Sequence, residues 1–350
     1  MMQQSFFTFM KRNSAILNYL FLRSSASLGI IALWLFATGV LTSVLASCHS
    51  TPTLSPEEEA RRDSAALHVA LMPVADCFPF YIAQRTGIYE RLGLDLRILT
   101  LQAQLDTDTA LLHRRAELVY SDLVRAIMIQ QADTFDVRAI ASAPAEMELI
   151  TARRGRVRAI SQLKERMVAV ARHSITDYWS DRLMDSARME QTAIFRPQIN
   201  DVRIRTDMIC NGTMDAAFLP EPFACEARLR GNVSNFSTRQ LQPRLGAFLV
   251  PTWVLNDTTR TRQLRLLFQG YEEARQLRDS IPSLLRQLCQ TPDSIVDSIA
   301  RALPAFAPLG RPSEEDAEAA LRWLRTRDKA KSKYTTDTLI TDFHGLESIQ

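Results

Sequence analysis

The sequence predicts an α/β fold of two doubly wound α/β lobes joined by a hinge, with a C-terminal helical part packed on the first lobe. Three observations predict it. Short apolar runs alternate with helical patterns from Leu67 to Ala152, the alternation restarts at Met167, and a long apolar run returns at Ala247–Leu255. Strands and helices that alternate over short connections imply largely parallel sheets covered by helices. The restart implies a second core, and the roughly 290 residues beyond the N-terminal region suffice for two. The expected division is 67–152 for lobe 1, 153–245 for lobe 2, and 246–350 for the return to lobe 1 and the C-terminal helices.

The N-terminal region precedes both lobes. Lys11, Arg12 and Arg23 are its only charges before Cys48, and Leu28–Ala46 is an apolar to weakly polar run. A basic segment followed by an apolar one is the pattern of a secretory signal, here residues 1–47. Leu45-Ala46-Ser47-Cys48 resembles the lipobox of bacterial lipoproteins. That resemblance implies cleavage before Cys48 and acylation of its thiol and new amino group, and two or more acyl chains give a stable anchor. An uncleaved signal-anchor helix is the alternative, since about 20 apolar residues can span a bilayer. Either way the rest of the chain is expected outside the cytoplasm. Residues 48–66, including TPTLSPEEEARR, read as a polar tether.

In lobe 1, LHVALM at Leu67–Met72 reads as a buried strand, followed by Pro79 where a helix begins and Gly87 where it stops. Leu94, Leu96 and Ile98 alternate with charged residues as a second strand. Asp106 or Asp108 is expected to cap the next helix, Leu118–Ser121 is a third strand, and Asp122 opens the helix LVRAIMIQQ. Val137–Ala143 and Met147–Ala152 read as strands, and Arg153-Arg154-Gly155-Arg156 as an exposed crossing between lobes, or a partner-binding patch. In lobe 2, Met167–Ala171 is strand-like, Ser174 caps a helix through Met189, and Val202–Arg205 reads as a strand before a short helix. Asp215–Leu219 is a strand and Pro222–Leu229 a helix. From Thr259 onward the pattern is helical.

Charge and cysteines narrow the function. Residues 1–47 hold three of the 42 basic residues and none of the 39 acidic ones, which leaves 39 of each in the remainder. A neutral remainder gives no argument for nucleic acid, which calls for a basic face. Cys77, Cys210, Cys225 and Cys289 have no CxxC spacing. Cys210 and Cys225 read either as a disulfide or as small buried apolar residues.

In open α/β sheets ligands sit at the carboxyl ends of strands, where helix amino termini converge. That rule selects Asp76, Phe78, Gln104, Asp122, Ser174, Thr176, Asp177, Tyr178, Glu221 and Phe223 as candidate ligand-binding residues. Each has a structural alternative: Ser174-x-x-Asp177 is nearly a capping box, Asp122 suits an N-cap, and the aromatic rings suit a core. Glu221, between Pro220 and Pro222, is a poor N-cap and a rigidly aimed carboxylate. No HExxH, GxSxG, P-loop or GxGxxG arrangement occurs in the sequence. No catalytic residues, metal or cofactor are therefore expected.

"YIAQRTGIYERLGLDLRIL" (Tyr81–Leu99) and "MDAAFLPEPFACEARLRG" (Met214–Gly231) resemble the solute-binding proteins of ABC importers for nitrate, sulfonates, taurine and thiamine-pyrimidine precursors. The matching patterns are Ala83–Tyr89, Gly93–Leu96 and Gly212–Phe223. The resemblance implies a type 2 periplasmic-binding-protein fold, a small-molecule ligand between the lobes, ABC permease and ATPase partners, and no chemistry. A predicted cleft rim of Asp76, Asp106, Asp122, Asp177 and Glu221, against Arg125 and Arg172, favours an amine-bearing, pyrimidine-like ligand over nitrate, sulfonate or taurine. The expected protein is a monomer, lipid-anchored to a bacterial membrane and facing the periplasm or cell exterior. A hydroxymethylpyrimidine-synthase-like enzyme using pyridoxal phosphate and iron is an alternative within the resemblance, weakened because the CCCFC motif is absent. A ligand sensor for a membrane receptor is another.

Overall fold

A computed structural model of the chain describes residues 55–132, 135–327, 329 and 335–343. The expected signal segment and Cys48 lie outside the described residues. No helix among the described residues is long and apolar enough to cross a membrane. The chain divides into two units, 1–64 and 65–350. Of the first, residues 55–64 are described, and they belong to an exposed helix, α1 (Pro56–Ala65). Ser55 and Glu58 form a reciprocal capping box, with Ser55 Oγ accepting from Glu58 N at 3.2 Å and Ser55 N donating to Glu58 Oε2 at 3.1 Å. This half of the expected tether is therefore helical, and Ser-x-x-Glu was the sequence signal for it.

The second unit begins with β1 (Leu67–Leu71), α2 (Phe78–Arg85), β2 (Leu96–Thr100), α3 (Gln104–Leu112), β3 (Leu118–Asp122), α4 (Leu123–Gln131) and β4 (Val137–Ala143). It continues with β5 (Met147–Thr151), β6 (Val168–Ala169), α5 (Ile175–Ser186), α6 (Val202–Asn211), β7 (Ala216–Pro220), α7 (Phe223–Leu229) and β8 (Val233–Ser237). It ends with β9 (Gly246–Pro251), α8 (Thr258–Ala274), the helices Ile281–Gln287 and Asp293–Ala302, and α9 (Glu314–Thr326). The first sheet has the order β2-β1-β3-β9-β4 and the second β6-β7-β5-β8.

Both sheets are mixed. β9 runs antiparallel to β3 and β4, and β5 runs antiparallel to β7 and β8. The reason lies in where the chain crosses. β4 ends at Ala143, paired with Gly246 at the start of β9, and β5 starts at Met147, paired with Pro220 at the end of β7. Each crossing leaves one sheet and enters the other at the edge where the parallel strands end. The entering strand must then run outward, against its neighbours.

The crossings touch at Gly246. A Cβ built there lies 2.5 Å from Ala145 Cβ and 2.8 Å from the Ala143 carbonyl oxygen. Only a residue without a side chain lets the two strands of the hinge pack at this distance.

Burial explains the layers. Phe80 of α2 has its ring 5.3 Å from Phe248 of β9 and 4.8 Å from Tyr271 of α8, so these two helices cover one face of the first sheet. Ala317, Ala320, Leu321 and Leu324 of α9 share a buried cluster with Leu123, Val124 and Ile127 of α4. α9 also reaches lobe 2, where the ring of Trp323 is 5.6 Å from that of Tyr178 in α5.

Several expectations change. Met147–Thr151, expected in lobe 1, belongs by its hydrogen bonds to the second sheet. The sheets change at residues 144–146 and 238–245, so Arg153–Arg156 is no crossing; Arg153–Gly155 is a short 3-10 turn after β5. Val202–Arg205 is the first turn of α6, capped by Asp201, whose carboxylate accepts from Ile204 N. Val233–Ser237, which carries no strand expectation from the sequence, is an edge strand. Asp108 lies inside α3 and not at its cap, which is Ala103. All four cysteines among the described residues are free.

Replacing Gly246 by alanine is expected to cost about 1–3 kcal/mol, since neither backbone nor a neighbouring Cβ can yield as a flexible side chain would. Urea unfolding of Gly246→Ala against the wild type measures this; an unchanged midpoint would remove the close-approach argument.

Candidate functional site

The lobes meet where β1, β3 and β7 end. Hydrogen bonds that join them here include Ala75 N to Glu221 O at 2.9 Å, Val202 N to Gln102 O at 3.0 Å, and Ile175 N to Asp122 Oδ2 at 2.9 Å. On either side of this seam are two cavities that share Val74 and Pro220 as lining.

The larger has a volume of about 350 Å³, within the range that takes a small organic molecule. Asp76 and Glu221 line it together, as the sequence reading expected, with Glu146, Arg239 and Phe306. Asp76 enters from the turn after β1, Glu221 from the β7–α7 junction, Glu146 and Arg239 from the two crossings, and Phe306 from the C-terminal segment. Glu221 is held by α7: Oε2 accepts from Cys225 N at 3.0 Å and Oε1 from Arg228 Nη2 at 2.8 Å. The capping role weighed against recognition is thus real, and the carboxylate serves the helix end as well as the cavity wall. Glu146 pairs with Arg239 at 2.9 Å.

Asp76 differs. Its Oδ2 accepts from Tyr120 OH and from Ala145 N, both at 2.9 Å, and no cation contacts it among the described residues. Burial pushes its carboxyl up from 3.8 to about 6, against the pull of these two hydrogen bonds, with Glu146 adding to the rise. It is an anion without a counter-charge, facing a cavity.

The smaller pocket has a volume of about 20 Å³, room for about one water molecule. Met72, Gln104 and Tyr120 of lobe 1 face Ala171, Thr176 and Arg205 of lobe 2 across it. Arg205 is 4% exposed, and its Nη1 donates to the carbonyls of Ile199 at 2.8 Å and Asn200 at 3.1 Å. Its Nε is buried without a partner. Desolvation lowers its guanidinium to about 10, with Asp201 opposing. Two of the predicted residues, Gln104 and Thr176, lie here.

The other predicted residues do structural work. Asp122 caps α4 through Arg125 N at 2.9 Å and holds Ile175 N across the seam. Ser174 Oγ accepts from Thr176 N and donates to Ala171 O. Asp177 accepts from His173 N at 2.9 Å and pairs with Arg327 at 2.8 Å. Its carboxylate lines a separate, basic cavity. Asp106, expected on the rim, sits in the first turn of α3 and lines none of these three cavities. The rings of Phe78 and Tyr178, expected to stack on a ligand, are core, and so is that of Phe223, another candidate. Phe78 packs edge-on to Phe306, Tyr178 lies between Trp179 and Trp323, and Phe223 sits beneath the Arg203 guanidinium. They are buried because side chains at a strand-to-helix junction alternate between the cleft and the layer beneath, which the sequence does not resolve.

Sequence reasoning missed Arg205, Tyr120, Glu146, Arg239 and Phe306. The signal for Arg205 was the charged residue in VRIRTD, incompatible with a buried strand on both faces. Phe306 gave none, since it reaches the site from a segment far along the chain.

Residues 74–236 match the family described as NMT1/THI5 like. No curated protein matches the sequence. Among solved structures, the alkanesulfonate-binding protein SsuA from Xanthomonas axonopodis pv. citri bound to MOPS is similar with a TM-score of 0.66 and 15% identity, over 79% of this chain and 98% of that one. The aliphatic sulphonate binding protein SsuA from Escherichia coli gives 0.64 and 14%, over 79% and 92%. The nitrate-binding protein NrtA from Synechocystis PCC 6803 gives 0.64 and 12%, over 81% and 86%. The fold is that of the type 2 periplasmic binding proteins, as the sequence resemblance implied.

The raised value of Asp76 fixes the sign of a pH effect. The folded chain binds this proton more tightly than the unfolded one, so its contribution to stability is greatest below about 3.8 and is lost as pH rises towards 6. Asp76→Asn removes the effect, and the stability of the variant relative to wild type is expected to rise by about 1–3 kcal/mol between pH 4 and pH 7. Urea titrations of both proteins across that range measure it; a difference independent of pH would refute the assignment.

Proposed function

With residues 74–236 matching the NMT1/THI5-like family on a type 2 periplasmic-binding-protein fold, we propose that the chain is the solute-binding component of an ABC importer. It captures a small molecule between its lobes and presents it, unchanged, to a permease and its ATPase. Lipid anchoring through Cys48, a position facing the periplasm or cell exterior, and a monomeric state belong to the same proposal. The ligand carries an amine or amidine donor on a flat ring, as a pyrimidine-like thiamine precursor does.

The observation that carries the ligand class is Asp76, a carboxylate without a counter-charge on the wall of a cavity made by both lobes. A protonated amine placed there completes an ion pair out of bulk water, where charge-assisted hydrogen bonds are stronger. Phe306 offers an apolar face to a ring beside it. Closure follows from differential affinity, because the ligand bridges Asp76 on lobe 1 and Glu221 on lobe 2 only when the lobes are together.

One observation favours a second reading. Arg205 Nε is a buried donor lacking an acceptor, and an oxyanion such as a sulfonate or nitrate would supply one. The pocket it lines is too small for such a ligand until the lobes part.

Calorimetric titration of the purified protein separates the two. For an amine-bearing pyrimidine, Asp76→Asn is expected to weaken binding by about 10–100-fold while Arg205→Gln leaves it within about twofold. For an amine that stays protonated, wild-type affinity is expected to fall as pH drops below about 6, where Asp76 takes up its proton. Tight binding of nitrate or a simple alkanesulfonate that is lost in Arg205→Gln would replace the amine reading with the anionic one.

A further inference from the structure

A third cavity, of about 520 Å³, shares no lining residue with the two at the seam. It is formed by the loop before α5, by the 3-10 turn Gln191–Ala193 and the residues after it up to Arg196, and by the residues that follow α9. We propose that it is a binding site for a small multivalent oxyanion of the phosphate class, distinct from the solute site.

Four cations line it: Arg172, Arg196, Arg327 and Lys329. Two carboxylates oppose them. Asp177 pairs with Arg327 at 2.8 Å, and Asp181 pairs with Arg196 at 3.0 Å and with Arg327 Nε at 3.1 Å. The cavity therefore keeps an excess of two positive charges, in a chain whose 42 basic and 39 acidic residues nearly balance. Concentrated charge of one sign in a concave site raises the local concentration of the opposite ion.

The cations fall into two sets with different parts. Arg196 and Arg327 are fixed before any ligand arrives. Arg196 also donates to Ser180 Oγ at 3.1 Å and Gln191 Oε1 at 2.7 Å, and the Arg327 guanidinium lies 5.0 Å from the centre of the Trp323 ring. Arg172 and Lys329 have no carboxylate partner among the described residues, and both are exposed. They are free to turn onto a ligand. Between them His173, held at φ 53°, keeps its Nδ1 buried without a partner. Burial holds this imidazole below its ordinary proton affinity, despite Asp177 nearby. A neutral ring there can donate one hydrogen bond without adding repulsion to the guanidinium pairs.

Two uncompensated positive charges match a divalent oxyanion better than a monovalent one. Guanidinium groups bind its oxygens in the bidentate manner that a point charge cannot. The site also has a mechanical place. Arg172, His173 and Arg196 belong to lobe 2, whereas Arg327 and Lys329 follow α9, which packs on α4 of lobe 1. An oxyanion seated here ties lobe 2 to the tail of lobe 1, at a distance in sequence from both crossings.

Inorganic phosphate is the probe, titrated at constant ionic strength against matched sodium chloride, with binding followed by calorimetry and thermal unfolding. Wild type is expected to bind one phosphate saturably, and the double variant Arg172→Gln/Lys329→Gln to bind at least about tenfold more weakly. Those two side chains make no ion pair among the described residues, so the variant should unfold at the wild-type temperature when phosphate is absent. Asp76→Asn should bind phosphate like wild type, which keeps this test separate from that of the solute site. A phosphate response no larger than that of chloride, or equal binding by the double variant, overturns the proposal. Loss of phosphate binding in Arg205→Gln would also overturn it, by placing the ion at the seam. Flotation with phosphatidylglycerol vesicles tests a lipid headgroup as the source; vesicle binding without any response to free phosphate would overturn it too.

Discussion

The Asp122 carboxylate serves a helix amino terminus in each lobe, with Oδ1 accepting from Arg125 N and Oδ2 from Ile175 N. The residue is fully buried, and burial raises its carboxyl to about 6, while the two amides oppose that rise. Arg125, the neighbouring cation, is turned to Asp108. The seam between the lobes therefore rests on an anion neutralised chiefly by helix ends. Desolvation offsets much of what such a contact returns, so its net contribution is small.

The same accounting sorts the remaining carboxylates. Glu221, Asp177, Glu146 and Asp108 each have a guanidinium partner. Asp76 does not. A sequence-level tally of acidic residues at the cleft overstated how negative it is, because the arginines that neutralise them lie far along the chain or, for Glu221, seven residues on in α7. What is left among the described residues is one unpaired anion in the larger cavity and one unsatisfied guanidinium Nε in the smaller one.

The basic cavity in lobe 2 follows from the opposite imbalance. The C-terminal helix α9 is held to lobe 2 by Trp323, whose Nε1 donates to Asp181 at 2.8 Å, and by Arg327. The helix end thereby brings its cations against those of the loop before α5. The chain as a whole is close to neutral, so the local surplus is a product of how the tail docks.

The sequence by itself determined the two-lobed α/β plan, the alternation that builds it, and the return of the chain at β9. Those features are carried by local periodicity, turn residues and caps, which act over a few residues. It also pointed to Asp76 and Glu221, which line one cavity, because both follow the carboxyl end of a strand at the seam. It did not determine that β5 belongs to the second sheet, since an apolar strand reads alike in either. Nor did it separate Phe78, Tyr178 and Phe223, which are core, from the ring of Phe306, which lines the cavity. Tertiary structure alone decided which carboxylates are free, because pairing depends on residues such as Arg228 and Arg327 that meet their partners only after the layers pack. Charge in a sequence is a count, whereas charge in a cleft is what remains once every buried ion has found or failed to find its counterpart.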